Sequence, residues 1–131
     1  MGVSTYLLDT CALLWWMADA PDLGRVARRV IGNRRNSIVV SAASLWEIAV
    51  KRRKGRLVGV DEYLARYPEL HATWGFATVV IEPADAVAAG LLPLPHDDPF
   101  DRMLIAQSRR LDARIVTCDE SIREYVPTCV W

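Results

Sequence analysis

Histidine and cysteine are scarce in this chain, with two of the first and three of the second, and their scarcity removes whole classes of protein. His71, His96, Cys11, Cys118 and Cys129 show no CxxC or other zinc-ligand spacing, and an odd number of thiols does not build a disulfide framework. Long apolar runs are missing too. The longest, Cys11 to Ala18, has 8 residues, against the ~20 that a membrane-crossing helix requires. No basic residue precedes an apolar stretch at the N-terminus, so a secretory leader is not expected and the cytoplasm is the expected location. Net charge is absent as well, because 16 basic and 16 acidic side chains cancel over 131 residues. With 52% hydrophobic residues the composition excludes disorder and suits one globular domain, residues 1–131.

The balanced total hides an asymmetry. Between Leu23 and Arg56 stand Arg25, Arg28, Arg29, Arg34, Arg35, Lys51, Arg52, Arg53, Lys54 and Arg56 against the single acid Glu47, a net +9, so the remainder carries −9. One basic helix is ordinarily a solvated face. Two of them beside an acidic remainder point toward a polyanionic ligand.

Short aliphatic runs alternate with helical patterns along the whole chain. Tyr6-Leu7-Leu8 reads as a buried strand stopping at Asp9-Thr10, followed by a helix through Leu13 to Met17. After a break at Pro21-Asp22, Val26, Val30 and Ile31 recur at helical spacing, and Ser37 to Val40 is the next strand. Ser41 and Ser44 suit caps for a helix that carries Leu45, Ile48 and Ala49 and stops at Gly55. Asp61 to Ala72 is helical with a break or kink at Pro68, Thr78 to Ile81 is a third strand, and Pro83 to Leu92 a short helix. A loop at Pro93-Leu94-Pro95, a helix from Pro99 to about Leu111, a strand Arg114 to Thr117, a helix Asp119 to Tyr125 and a terminal strand near Cys129 complete the pattern. This order predicts an α/β fold, a three-layer α/β/α sandwich around a central parallel sheet. Ligands of such folds gather at the carboxyl ends of the strands.

Four acids fall at or near those ends, and each has an ordinary structural reading. Asp9 suits an N-cap, Glu47 a surface pair with Lys51 four residues on, Asp101 an acid in the first turn of a helix capped by Asp98, and Asp119 a cap for the last helix. Their coincidence at one sheet edge is what the separate readings leave unexplained. Two carboxylates ~5 Å apart repel by about 3 kcal/mol at an effective dielectric near 20, so an ionised cluster is expected to persist only around a cation. Oxygen ligands select Mg²⁺ or Mn²⁺ over zinc, and such a metal polarises a phosphodiester and acidifies an attacking water.

The same residues carry a family likeness. Leu8-Asp9-Thr10 with Ala12 to Trp16, Ser41 to Lys51 with Gly55-Arg56-Leu57, Asp98-Pro99-Phe100-Asp101-Arg102 with Met103 to Gln107, and Val116-Thr117-Cys118-Asp119 follow in order through the chain. Together they resemble the successive signatures of PIN-domain ribonucleases, and among those the VapC-type toxins of bacterial toxin–antitoxin pairs. The resemblance implies a Mg²⁺- or Mn²⁺-dependent endoribonuclease whose Asp9, Glu47, Asp101 and Asp119 bind one or two ions. Asp9 and Asp101 would be the core ligands, with Glu47 and Asp119 completing a second ion or acting through water. Thr10 and Thr117 would orient carboxylates or waters. A metal-held water would attack, leaving a 5′-phosphate on the product. The resemblance also implies an RNA substrate, single-stranded or looped, a homodimer, and a small antitoxin as partner. Cys11 stands where relatives often carry another polar residue, and with Cys118 it raises the expectation of sensitivity to oxidation or soft metals.

Other residues stay open at the level of sequence. Arg102 suits either neutralising the acids or holding a phosphate, His96 reads as a solvated loop residue, and Asp97 as solvated or in an outer shell. Of Trp15, Trp16 and Trp46, at least two are expected in the core rather than as stacking surfaces. Trp15 and Trp16 point ~100° apart on one helix, so one of them is expected to face a second surface open to an antitoxin or another subunit. Rival functions fit less well. A phosphorelay receiver needs a late lysine and none follows Lys54, while a haloacid-dehalogenase-type phosphatase wants an acid two residues after Asp9, where Cys11 stands. A housekeeping PIN nuclease, or a non-catalytic RNA-binding PIN module, is the alternative; the second should have lost acids that are present here.

Overall fold

Four short strands stack into one parallel sheet, the two inner ones largely buried. In the computed structural model, which describes residues 4–131, β1 (Thr5–Leu8) lies between β2 (Ser37–Ser41) and β4 (Arg114–Val116), with β3 (Phe76–Val79) outside β2. All pairings are parallel, and the order is β3-β2-β1-β4. The period of two sorts the side chains to opposite faces. Tyr6, Leu8, Ile38 and Val40 join the larger core with Ala12, Leu13, Ala27, Ile31 and Tyr63, whereas Leu7 and Val39 meet Leu104 on the other face. Ile115 completes that second layer with Ile105 and Ile122. The expected three-layer sandwich is the fold observed.

The helices are α1 (Thr10–Met17), α2 (Arg25–Gly32), α3 (Ala42–Arg53), α4 (Asp61–Trp74), α5 (Pro83–Leu91), α6 (Pro99–Leu111) and α7 (Glu120–Arg123). Side-chain caps open α1, α3, α6 and α7. Asp9, Ser41, Asp98 and Asp119 each accept a backbone N–H of the turn they open. Gly55 at φ 74° lies just beyond the end of α3, where a left-handed residue is needed. The kink expected at Pro68 is present, with non-helical dihedrals at Arg66.

Three boundaries differ from the sequence expectation. The third strand begins and ends two residues earlier than Thr78–Ile81. Gly75, left-handed at φ 75°, turns α4 directly into the strand. Because Val79 already pairs with Ser41, and Ser41 caps α3, Val80 and Ile81 pair with no residue of β2 and their side chains lie exposed. The last helix is one short segment, Glu120–Arg123, and the expected terminal strand is a single parallel bridge between Val130 and Val116.

Buried polar bonds fix α6 against the sheet. Ser41 donates to Gln107 Oε1 (2.5 Å), and the Gln107 amide donates to the Val80 carbonyl and to Asp85 (3.2 Å each). Asp85 in turn accepts from Arg110 at 2.6 and 2.9 Å, and this guanidinium beside it holds its carboxyl down at about 2. Buried His71 bridges Tyr63 Oη (2.6 Å) and Thr78 Oγ1 (2.7 Å), so both ring nitrogens are engaged within the core, and burial lowers its basicity.

Trp15 and Trp16 are both half-buried and leave in different directions, Trp15 edge-on to Trp131 (5.5 Å) and Trp16 tilted against Phe76 (6.2 Å). Neither is fully covered: Trp131 shields part of Trp15 and β3 part of Trp16, and each of the two also lines a surface cleft, so the expectation of a second surface beside one of them stands. At least two of the three tryptophans pack on the core, as expected, and Trp46 is the exposed one. A Cβ added at Gly24 would stand 2.7 Å from the Trp131 backbone carbonyl carbon and 2.6 Å from its ring. Gly24→Ala is accordingly expected to displace Trp131 and lower stability by roughly 1–3 kcal/mol in urea unfolding. An unchanged midpoint would show that the tail moves aside without cost.

Candidate active site

The strand order reverses direction at β1, from which the chain proceeds to β2 and β3 on one side and to β4 on the other. The crevice at such a switch point opens beyond the carboxyl ends of the strands. There a cavity of about 170 Å³ is lined by Asp9, Thr10, Cys11, Glu47, Lys51, Asp98, Asp101 and Asp119. All four acids singled out from sequence meet in it, joined by the capping Asp98. Arg102 and Thr117 do not line it.

Asp9 forms the floor. It is 6% exposed, its Oδ1 accepts from Ala12 N (2.7 Å) and its Oδ2 accepts from the hydroxyl of the fully buried Thr117. Burial raises its carboxyl to about 6, against the opposing pull of those two donors. Asp101, from the first turn of α6, is also raised by burial, and its Oδ2 meets His96 Nε2 at 2.8 Å. Glu47 reaches in from α3 with both oxygens engaged, Oε1 by the Thr10 hydroxyl (2.5 Å) and Oε2 by Lys51 Nζ (2.9 Å). Asp119 stands exposed at the rim, where its Oδ1 caps α7 through Ser121 N and Oγ. The cap and ion-pair readings of the individual acids are thus real, and they coexist with a shared cavity. Thr10 and Thr117 hold carboxylates, as expected of them.

Local partners ease the repulsion among the acids: burial favours the protonated form of Asp9, Asp101 faces an imidazole, and Glu47 faces an ammonium. The structure corrects three details. His96 is not solvated, since its side chain is only 18% exposed and lies on Asp101. Arg102 neither neutralises the acids nor waits for a phosphate. Its guanidinium donates to the carbonyls of Ala89, Leu94, His96, Gly90 and Leu92 at 2.7–3.2 Å, which occupies the whole fork in tying α5 and its following loop to α6. The thiols are not activated. Partial burial and then Asp9 push Cys11 up to about 11, and the same causes raise Cys118, so both stay neutral and poorly reactive. Asp97 is exposed, as expected.

The donor set fits a hard cation of the hydrated kind. Among the described residues no three carboxylate, imidazole or thiol groups stand close enough to enclose one ion. Mg²⁺ needs no such cage, because it keeps several waters and takes one or two carboxylates. Asp9 and Asp101 are the two acids raised by burial in the same cavity; Asp9 is met only by neutral donors, and Asp101 by the His96 imidazole. Lys51 is the one cation among the lining residues.

The PIN domain family profile matches residues 6–126, and the chain belongs to that family. Within it the chain is of the VapC type, being 30% identical over 136 residues to Ribonuclease VapC22 of Mycobacterium tuberculosis (strain ATCC 25618 / H37Rv), with 98% of this chain and all of that protein covered. In fold it is similar to VapBC2 from Rickettsia felis bound to a DNA fragment from their promoter (TM-score 0.64, 14% identity) and to a toxin-antitoxin complex from Klebsiella pneumoniae (TM-score 0.61, 13% identity). Each of these likenesses covers 96% of both chains.

Asp9 binds its proton more tightly folded than unfolded. Through the window from about 4 to about 6 the folded chain therefore keeps a proton that the unfolded chain has released, and this group's contribution to stability falls as pH rises. In chelator-treated protein, the stability gain of Asp9→Asn over the parent should grow between pH 4 and 7 in urea titrations. A gain that is flat across that window contradicts the assignment.

Proposed function

We propose that this chain is a Mg²⁺- or Mn²⁺-dependent endoribonuclease and the toxin of a toxin–antitoxin pair. The observation that carries this reading is the meeting of Asp9, Glu47, Asp101 and Asp119 in one cavity at the switch point of a VapC-type PIN fold. Asp9 and Asp101 would hold the ion, with Thr117 keeping the Asp9 carboxylate aimed and His96 doing the same for Asp101. Glu47 and Asp119 would complete a second ion or act through water. When bound, the ion supplies Lewis-acid polarisation of the phosphodiester and a more acidic water for its hydrolysis. The chain's part is to fix the carboxylates through Thr117, His96, Thr10 and Lys51 before substrate arrives, which leaves little reorganisation for the reaction itself.

The basic segment supports an RNA substrate. Arg28, Arg34, Arg52 and Lys51 are engaged within the chain, by Asp19, the Thr73 carbonyl, Asp61 and Glu47. Arg29, Arg53, Lys54 and Arg56 remain exposed, without an ion pair among the described residues, and suit the phosphates of a single strand. A protein partner is supported by apolar surface elsewhere than the sequence suggested: Trp46 (59% exposed), Val80, Ile81, Val87 and Leu91 all lie open. α5 carries Val87 and Leu91 four residues apart, a signal present in its sequence but hidden by the helix being apolar all round. An antitoxin and a second copy of the chain are the partners this reading assigns, and the cytoplasm is its compartment. Among the described residues no helix is long and apolar enough to cross a membrane.

Purified protein should cleave a pool of single-stranded RNA with Mn²⁺, leave 5′-phosphate ends, and stop on chelation. Asp9→Asn and Asp101→Asn should lower the rate by roughly 10² or more, and should weaken Mn²⁺ binding more than Glu47→Gln or Asp119→Asn does. Cleavage that survives both the chelator and these variants would falsify the nuclease assignment. In cells, growth arrest on expression should be relieved by the product of an adjacent small reading frame.

A further inference from the structure

The cavity presents a difficulty for any polyanion that enters it, since five of its eight lining residues are carboxylic acids and a phosphodiester arriving from solvent meets their charge first. The arginine next to the site cannot relieve this, because all five carbonyls that Arg102 binds belong to the chain's own segment from Ala89 to His96. Lys51 is placed differently. Its side chain is 40% exposed where Asp9 is 6% exposed, so its ammonium stands toward the mouth while Asp9 forms the floor. A lysine ammonium has three donors, and Glu47 Oε2 takes one of them at 2.9 Å. The other Glu47 oxygen is held by Thr10 at 2.5 Å, so the glutamate that fixes the lysine is itself fixed from the first turn of α1. Lys51 is 40% exposed while its i, i+4 partner Glu47 is 13% exposed, so the carboxylate anchors the lysine from inside and leaves the ammonium open to a ligand at the mouth.

We propose that Lys51 is the phosphate-positioning residue of this site: two of its ammonium donors grip the non-bridging oxygens of the RNA phosphate at the cavity mouth, and Glu47, braced by Thr10, serves mainly to aim it. This rests on the nuclease reading and deepens it, by giving Glu47 a task other than holding the ion. No proton moves and no bond is made in the assigned step. The contact is electrostatic, and it offsets on the protein's side the repulsion that the five acids impose on the substrate.

The test compares the parent with Lys51→Met, which keeps the stem and removes the charge, and Lys51→Arg, which keeps the charge. Cleavage of a labelled single-stranded RNA 20-mer pool is followed with Mn²⁺ over a range of salt, and Mn²⁺ affinity without RNA is read by electron paramagnetic resonance. Lys51→Met should raise KM roughly tenfold or more with kcat less affected. It should also reduce the slope of log KM against log salt by about 0.7, the share of one single-strand phosphate contact. Its Mn²⁺ affinity should stay near the parent's, and Lys51→Arg should retain the parent's salt slope. Unchanged KM and slope in Lys51→Met, with an active parent, overturn this proposal alone. So does a large change in Mn²⁺ affinity, which would mean that Lys51 acts through Glu47 on the ion. A parent that cleaves no RNA under any metal condition overturns the nuclease reading, and this proposal with it.

Discussion

A carboxyl group held almost wholly out of water at the end of the central strand is the constraint around which this molecule is arranged. Asp9 follows β1 directly, and its two oxygens have to be satisfied by whatever the fold brings there. α1 supplies the Ala12 amide, and the end of β4 supplies the Thr117 hydroxyl. The second bond joins residues 108 apart in sequence and closes β4 onto β1 at the carboxyl edge. Thr117 also accepts from Asp119 N (3.0 Å), so the same hydroxyl that steadies the floor of the cavity sets the turn carrying the acid at its rim. A fold that completes these contacts necessarily builds the crevice.

The remaining acids show how one edge tolerates so much like charge before any ion arrives. Burial favours the protonated form of Asp9, His96 lies on Asp101, and Lys51 lies on Glu47, while Asp119 stays in solvent. Each solution is local and each leaves a carboxylate that a divalent cation would favour further. Arg102 belongs to the scaffold in a less obvious way. By binding five carbonyls at the end of α5 and in the loop beyond it, it fixes the segment that carries His96 and leads into the Asp98 cap, and so it positions Asp101 from behind without touching substrate.

Much of this was legible in the amino-acid sequence, for definite reasons. Caps and glycine stops are local chemistry, so the starts of α3 and α6 and the end of α3 followed from Ser41, Asp98 and Gly55. Strand ends that carry acids lead to one edge once the sheet is parallel, which is why Asp9, Glu47, Asp101 and Asp119 were gathered in advance. What escaped depended on distant partners. The limits of β3 were set by where β2 stops, and His96 was placed by a loop whose path Arg102 dictates. Neither Trp15 nor Trp16 revealed that Trp131 and Phe76 would pack against them. Arg102 itself looked like a site residue because its neighbour is one, and only the return of the 89–96 segment shows that its donors are already used.

The most direct measurement is the position of a bound ion. Crystals of the protein grown with Mn²⁺ should show an anomalous-scattering peak between the Asp9 and Asp101 carboxylates, with Glu47 still bonded to Lys51 and Thr10. A peak remote from Asp9 and Asp101, or no peak at saturating Mn²⁺, would contradict the account.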